Sequence, residues 1–464
     1  MSETTGGHDL RGFIEALKTD HPREHIEIND ELSGDWELAV CTIGLEEKLR
    51  VPVIQYTQVT DSSFIVVHNV CSSMQRIARV MGWTVDELES RLAAAYDSLL
   101  PPATVTDGPV REWVLRGDDV DLQQLPAIRY TESQIHPYLS AACVVARDSE
   151  SGALNLSFNR LMISDRNTLA IHMTPGSDLD TIFQNNKRAG RDTPIAAFIG
   201  SHPLWSLGSL ASGALSLDEY SVIGGLLGQP LAVVPGLLDD SLLIPAAAEF
   251  ALEGYLSKSD VMDEGPYGEA FGFVSPVGKR PVVHIELMSH RVNPLFQDIV
   301  PGHMEHMTMT SAAIRVHLQK TLLAQFDSVL HVFLPAAMTV HVGVASGTCA
   351  EEVRAMLESI LTQQRFVKHA IAFDHDVKID NARQTQRALL MHVQLDRDLV
   401  MLTDQPGNGL DPSESNGRTT KWGIDATTTP IAEGEVERNA LPQSVRDRID
   451  VNDIWKRAQP KASK

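Results

Sequence analysis

The chain has 464 residues, with 61 acidic against 39 basic side chains and a formal charge of −22 at neutral pH. That excess opposes nucleic acid or an anionic membrane surface as a general partner, because either needs a positive footprint. Hydrophobic residues at 43% and charged residues at 22% describe a globular protein with room for two or three cores.

In chain order, "DLRGFIEALKTD" (9–20) has amphipathic helical spacing and "DSSFIVVHNV" (61–70) reads as a strand. "TVDELESRLAAAYDSLL" is a helix with Thr84 or Asp86 as its start signal, and "LLPPATV" then breaks the chain. From about 108 to 305 short apolar runs alternate with turns, among them "LSAACVVARD", "LNLSFNRLMISD", "LAIHMTP" and "RPVVHIELMSH". Such spacing suits a barrel or sandwich. Two helices are expected within it, "SLDEYSVIGGLLG" and "PAAAEFALEGYLS". A long helical pattern, "GHMEHMTMTSAAIRVHLQKTLLAQF", leads into strand–helix–strand alternation typical of an α/β layer. The start "MSETTGGHDLRGF" has no apolar signal region and no apolar run reaches about 18 residues, so a cytoplasmic location is expected. Cys41, Cys71, Cys143 and Cys349 form no Cys-x-x-Cys pair and read as free thiols.

Several local patterns could carry chemistry. Asn155 and Arg160 in "NLSFNR" are five apart, so a regular strand would point them to opposite faces. They are either solvated residues of an edge strand or two separate sites. Glu219 opens a helix, where a carboxylate meets the dipole whatever else it does. Gly224 and Gly225 within that helix cost about 1 kcal/mol each, which points to a backbone or ligand packed closely there. Glu249 and Glu253 fall at i,i+4 on the second expected helix, where like charges repel weakly. His303 and His306 stand at metal-ligand spacing, but their Met neighbours and the lack of a third ligand favour packing. His172 is either a buried strand residue or a ligand. "DEGPYGEAFGF" holds Glu264 and Glu269 on either side of a stiff Gly-Pro-Tyr-Gly turn, as surface decoration or as an acid–base pair. There is no G-x-S-x-G elbow, no G-x-G-x-x-G after a strand and no GxxxxGK[ST], so serine hydrolase, dinucleotide and P-loop sites are unsupported.

Taken in order, "DLRGFIEAL", "GDDVDLQQLPAIRY", "NLSFNR", "DEYSVIGGLLGQPLAVVP", "IPAAAEFALEGYL", "DEGPYGEAFGF", "HRVNPLFQDIVPGHMEHM" and "TTKWGIDATTTP" resemble the UbiD-like family of prenylated-FMN-dependent decarboxylases over most of the chain. The resemblance implies an α/β (α+β) protein. Residues 1–105 would form an N-terminal α/β domain and 106–305 a split β-barrel that binds the flavin. Residues 306–464 would supply a linker helix and a C-terminal α/β domain that forms a homodimer.

The implied activity is reversible non-oxidative decarboxylation of an α,β-unsaturated or (hetero)aromatic acid, through a covalent adduct with prenylated FMN. A flavin prenyltransferase would be the cofactor source. Arg160, Glu264 and Glu269 match the family's catalytic Glu–Arg–Glu network, with Arg160 orienting the carboxylate and Glu269 as proton donor. Asn155 and Glu219 match ligands of Mn²⁺ (or Mg²⁺) on the cofactor phosphate. Backbone at Ser157 and Phe158 would lie along that phosphate, and K⁺ is usual nearby. The family's third metal ligand, a histidine, is missing at its expected place, where Ser177 and Asp178 stand; His172 or Asp178 would substitute, or the site has one ligand fewer. A proton donor at neutral pH must hold its proton above the ordinary carboxylate range, and burial beside a second carboxylate acts in that direction. Two rivals stay open: a metal-dependent hydrolase using Asn155, Glu219 and His172 with the two glutamates as acid and base, and a non-catalytic flavin-binding protein. Which acid is the substrate, and in which direction the reaction runs, the sequence leaves open.

Overall fold

The computed structural model describes residues 8–60, 62–211, 217–269, 272–409 and 411–427, with Ser444, Arg448 and Ile449 beyond. Asp9 caps the first helix, Leu10–Asp20, by accepting from Gly12 N–H at 2.7 Å. The helix buries Leu10, Phe13, Ile14 and Leu17, the spacing of its apolar positions. It belongs to a layer whose four-stranded sheet runs His25–Ile28, Val53–Tyr56, Ile65–His68, Leu295–Gln297. The fourth strand comes from far along the chain, so the first hundred residues do not complete this sheet alone. Thr84 and Glu87 form a capping box at the start of the helix Val85–Ala94.

The central sheet is antiparallel and nine-stranded. Its path is Tyr138–Leu139, Leu161–Asp165, Thr168–Ile171, Gly278–His290, Phe250–Glu264, Thr193–Ile199, Cys143–Arg147 and Leu154–Phe158, with Trp113–Arg116 also paired to Gly278–His290. Among the described residues its two end strands do not pair with each other, as a split rather than closed barrel requires.

One expected helix is overturned. "PAAAEFALEGYLS" leads into the long strand Phe250–Glu264, which pairs on both sides, with Thr193–Ile199 and Gly278–His290. Ala, Leu and Glu favour helix locally, but Phe250, Leu252 and Leu256 fill one core while Ala251 fills another, so both faces of the segment are buried. Glu249 and Glu253 are therefore not stacked on a helix. Glu249 accepts two bonds from Arg11 at 2.8 Å, tying the first helix to the central sheet. Glu253 accepts from Leu238 N–H at 2.8 Å.

The other expected helix is Glu219–Leu227, and its two glycines have an answer. A Cβ on Gly224 or Gly225 would collide with the backbone carbonyl oxygens of Leu100 and Ser98. The neighbour is backbone, not ligand. Gly224→Ala is expected to destabilise the fold by about 1–3 kcal/mol, read from denaturant midpoints at unchanged slope; an unaltered midpoint would show that the contact yields.

The helix Met304–Leu323 connects to a five-stranded sheet, Val329–Ala336, Thr339–Val344, His369–Asp374, Arg418–Ala426, Leu399–Pro406. "VLHVFLPAAMTVHVGVAS" is a hairpin of two strands turning at Met338, whose φ is 60°. The end of "TTKWGIDATTTP" lies outside the described residues. All four cysteines are free, and among the described residues no helix is long and apolar enough to cross a membrane.

Candidate active site

The strand Leu154–Phe158 stops at Asn159, whose N–H bonds back to Ala142 O at 3.1 Å. Arg160 follows in the break, before the strand Leu161–Asp165 begins. This overturns the opposite-face expectation: the strand is interrupted at Asn159, which resets the alternation, and Asn155 and Arg160 both line one cavity of about 540 Å³.

Arg160 occupies one end of that cavity, its guanidinium 4.4 Å over the ring of Tyr267. Nε donates to Glu264 Oε1 at 3.0 Å and Nη1 to Glu269 Oε1 at 2.5 Å. Both carboxylates reach the arginine because the chain turns between them. Glu264 is the last residue of the long strand, and Gly265 at φ 101° turns the backbone as only glycine does readily. A short pairing of Tyr267–Gly268 with Val274–Ser275 then brings Glu269 back, fixed by its N–H to Phe273 O at 2.7 Å.

His172 joins the same cluster. Arg160 Nη2 and Arg280 Nε both aim N–H groups at its Nδ1, at 3.1 and 3.2 Å, so that nitrogen accepts. Its 3.6 Å approach to Glu264 Oε2 is then a contact, and the charge of Arg160 is what keeps Glu264 ionised. Burial pushes the Glu264 carboxyl up; the Arg160 guanidinium outweighs burial and lowers it. Folding thus favours its ionised form, so its stabilisation is full above the ordinary value of 4.5 and is lost as pH falls below it. Wild-type protein is expected to lose stability across that window more steeply than Glu264→Gln, in denaturant melts at fixed pH. Equal slopes would remove the charge from the account.

The other end is built differently. Asn155 is 3% exposed and donates through Nδ2 to Ser157 Oγ at 3.1 Å. Glu219, also 3% exposed, accepts from Leu156 N–H at 3.2 Å. Burial pushes its carboxyl up to about 8, and Asp178 and Asp218 push in the same direction. Asp178 begins the helix Asp178–Arg188, capped by Ser177, and both line the cavity with Ser157 and Phe158. That helix was missed in the sequence, although its Ser-Asp-Leu-Asp start and the spacing of Leu179, Ile182 and Phe183 are legible signals. His306 was assigned to packing; it lies in the first turn of Met304–Leu323 and lines the cavity beside Met309 and Thr310. Among the described residues no three His, Cys, Asp or Glu side chains gather as metal ligands.

The sequence matches two family models. The 3-octaprenyl-4-hydroxybenzoate carboxy-lyase Rift-related domain covers residues 103–304, and the corresponding C-terminal domain covers 307–426. The chain belongs to the UbiD-like family. It is similar to the anhydromevalonate phosphate decarboxylase of Methanosarcina mazei, 25% identical over 441 residues, covering 93% of this chain and 99% of the relative. Its fold superposes on the UbiD-class enzyme HmfF from Pelotomaculum thermopropionicum in complex with FMN, with a TM-score of 0.89, 29% identity and coverage of 96% and 100%. The vanillic acid decarboxylase of Sedimentibacter hydroxybenzoicus in its open form gives a TM-score of 0.86, 26% identity and coverage of 97% and 99%. As a UbiD-like protein the chain is a carboxy-lyase, which sets aside the hydrolase and the non-catalytic flavin carrier.

Proposed function

We propose that this carboxy-lyase carries out reversible, non-oxidative decarboxylation of an α,β-unsaturated or (hetero)aromatic acid on bound prenylated FMN. The observation that carries the reading is a single cavity lined by Arg160 and Glu269, with Glu264 bonded to that arginine, and by Asn155 with Glu219. Solved neighbours hold FMN or prenylated FMN.

The donor set suits the expected metal. Glu219 is a buried carboxylate with acidic neighbours and no cationic side chain bonded to it among the described residues. Asn155 adds a side-chain amide in the same wall, and Asp178 is the nearer candidate for a third ligand, since His172 is held by two arginines. These are hard oxygen donors that suit Mn²⁺ or Mg²⁺ and, through it, a phosphate. When bound, the prenylated flavin supplies the electron sink for the pair left behind by CO₂.

The chain's own groups do the rest. Arg160 presents a rigid fork of N–H donors to the substrate carboxylate. Glu264 stays ionised and balances the arginine's charge. Glu269, when protonated, frees the Nη1 N–H for the substrate and delivers its proton to the carbon that has lost CO₂. The same reading includes a homodimer formed through the C-terminal α/β domain.

Co-expression with a flavin prenyltransferase tests the proposal. Mass spectrometry is expected to find prenylated FMN bound, released by chelator and lost in Glu219→Ala. A chain that stays flavin-free after such loading overturns the reading.

A further inference from the structure

On the flavin reading proposed above, the cofactor takes the Asn155–Glu219 end, and the substrate meets the wall of Tyr267, Ile299, Pro301, His306, Met309 and Thr310. That wall limits the substrate in two ways. The first is size: one cavity of about 540 Å³ must hold a tricyclic flavin and the acid together, so the acid is small. The second is charge. Among the described residues Arg160 is the only Lys or Arg lining the cavity, and the substrate's own reacting carboxylate takes the Nη1 that a protonated Glu269 releases. The helix Met304–Leu323 borders the cavity with its N-terminal turns, but that positive end is also met. Glu46 accepts from Met304 N–H at 3.2 Å, while Glu305 in the first turn is taken up by the N–H groups of Asn69 and Cys71. A phosphate or second carboxylate on the substrate would be buried without a counter-charge, which costs more than a neutral group.

His306 is the group on this wall suited to a neutral partner. Its Nδ1 accepts from Gly302 N–H at 3.0 Å, which puts the proton of the neutral ring on Nε2. Burial pushes the ring's pKa below its ordinary value, so the neutral form prevails at physiological pH. The ring then offers one N–H donor and no charge.

We propose that the substrate is a small α,β-unsaturated monocarboxylate with an uncharged hydrogen-bond acceptor at its distal end, and that His306 Nε2–H reads that acceptor. A hydroxyl, carbonyl or ether oxygen meets the requirement. A phosphate ester does not. The similar protein of Methanosarcina mazei is named for a phosphorylated acid; this chain rejects one.

The test loads the protein with its flavin and compares 5-hydroxy-3-methylpent-2-enoate, its 5-phosphate and the acceptor-free 3-methylpent-2-enoate. Binding is measured by titration calorimetry and CO₂ release separately. The hydroxy acid is expected to bind about tenfold more tightly than either of the others. His306→Phe should erase its advantage over the acceptor-free acid, while unchanged flavin content and an unchanged denaturant midpoint report an intact fold. His306→Gln, which restores an N–H donor, should recover part of it. The proposal is overturned if the phosphate binds as tightly as the hydroxy acid, if His306→Phe weakens both unphosphorylated acids equally, or if none binds. Tight binding of the hydroxy acid without CO₂ release would instead fault the decarboxylation reading and leave the specificity standing.

Discussion

Flavin-loaded Glu269→Gln is expected to turn over about 10²–10⁴-fold more slowly than the wild type, the range a positioned general acid contributes. Gln keeps the length of the side chain and an oxygen facing Arg160 Nη1, so the pairing of Tyr267–Gly268 with Val274–Ser275 has no reason to move. What Gln lacks is a transferable proton. Loss of turnover should therefore come with unchanged flavin content and nearly unchanged affinity for the acid. Solvent-deuterium incorporation at the vacated carbon should fall with it. A loaded variant that releases CO₂ at the wild-type rate would take the proton-donor role from Glu269.

Arg160→Met should affect stability as well as activity. Glu264 is 1% exposed, and the substitution removes its nearest cation, leaving Tyr138 O–H at 3.1 Å and Arg280 at 3.7 Å. Breaking one side of a buried ion pair costs on the order of 3 kcal/mol, because the remaining charge has lost its compensation. The added substitution Glu264→Gln should return much of that loss, and a double-mutant cycle in denaturant measures it. If the two losses simply add, the pair is not coupled as its geometry indicates. Arg160→Lys separates the roles: charge is retained, so most of the stability should stay, while turnover falls about 10²-fold because a point charge cannot hold a carboxylate by two parallel bonds.

Local signals were read well where local chemistry decides. The Thr84 start of Val85–Ala94, the Glu219 opening of Glu219–Leu227 and the amphipathic first helix depend on neighbours within a turn or two. So does the stiffness of the turn between Glu264 and Glu269. Non-local effects defeated the reading elsewhere. The helix-prone "PAAAEFALEG" became a strand because both faces and both edges are covered by segments distant in sequence. Gly254 records that pressure, since a Cβ there would run into His284 O. His306 gave no warning, because an N-terminal helical histidine among methionines looks the same whether it packs or lines a cavity.

The sequence by itself determined the residue types and their order: two glutamates around a rigid turn, an arginine after "NLSFN", a carboxylate opening a glycine-bearing helix. These are properties of short stretches, and a chain carries them before it folds. Only the tertiary structure decided that Glu264 and Glu269 share one guanidinium, that Asn155 and Arg160 face the same cavity, and that His172 sits with two arginines. The physical reason is that each of these rests on contacts across roughly 10 to 110 residues of chain. Such contacts are set by sheet register and by breaks in it. A single break at Asn159 moves Arg160 to the wall that alternation denied it.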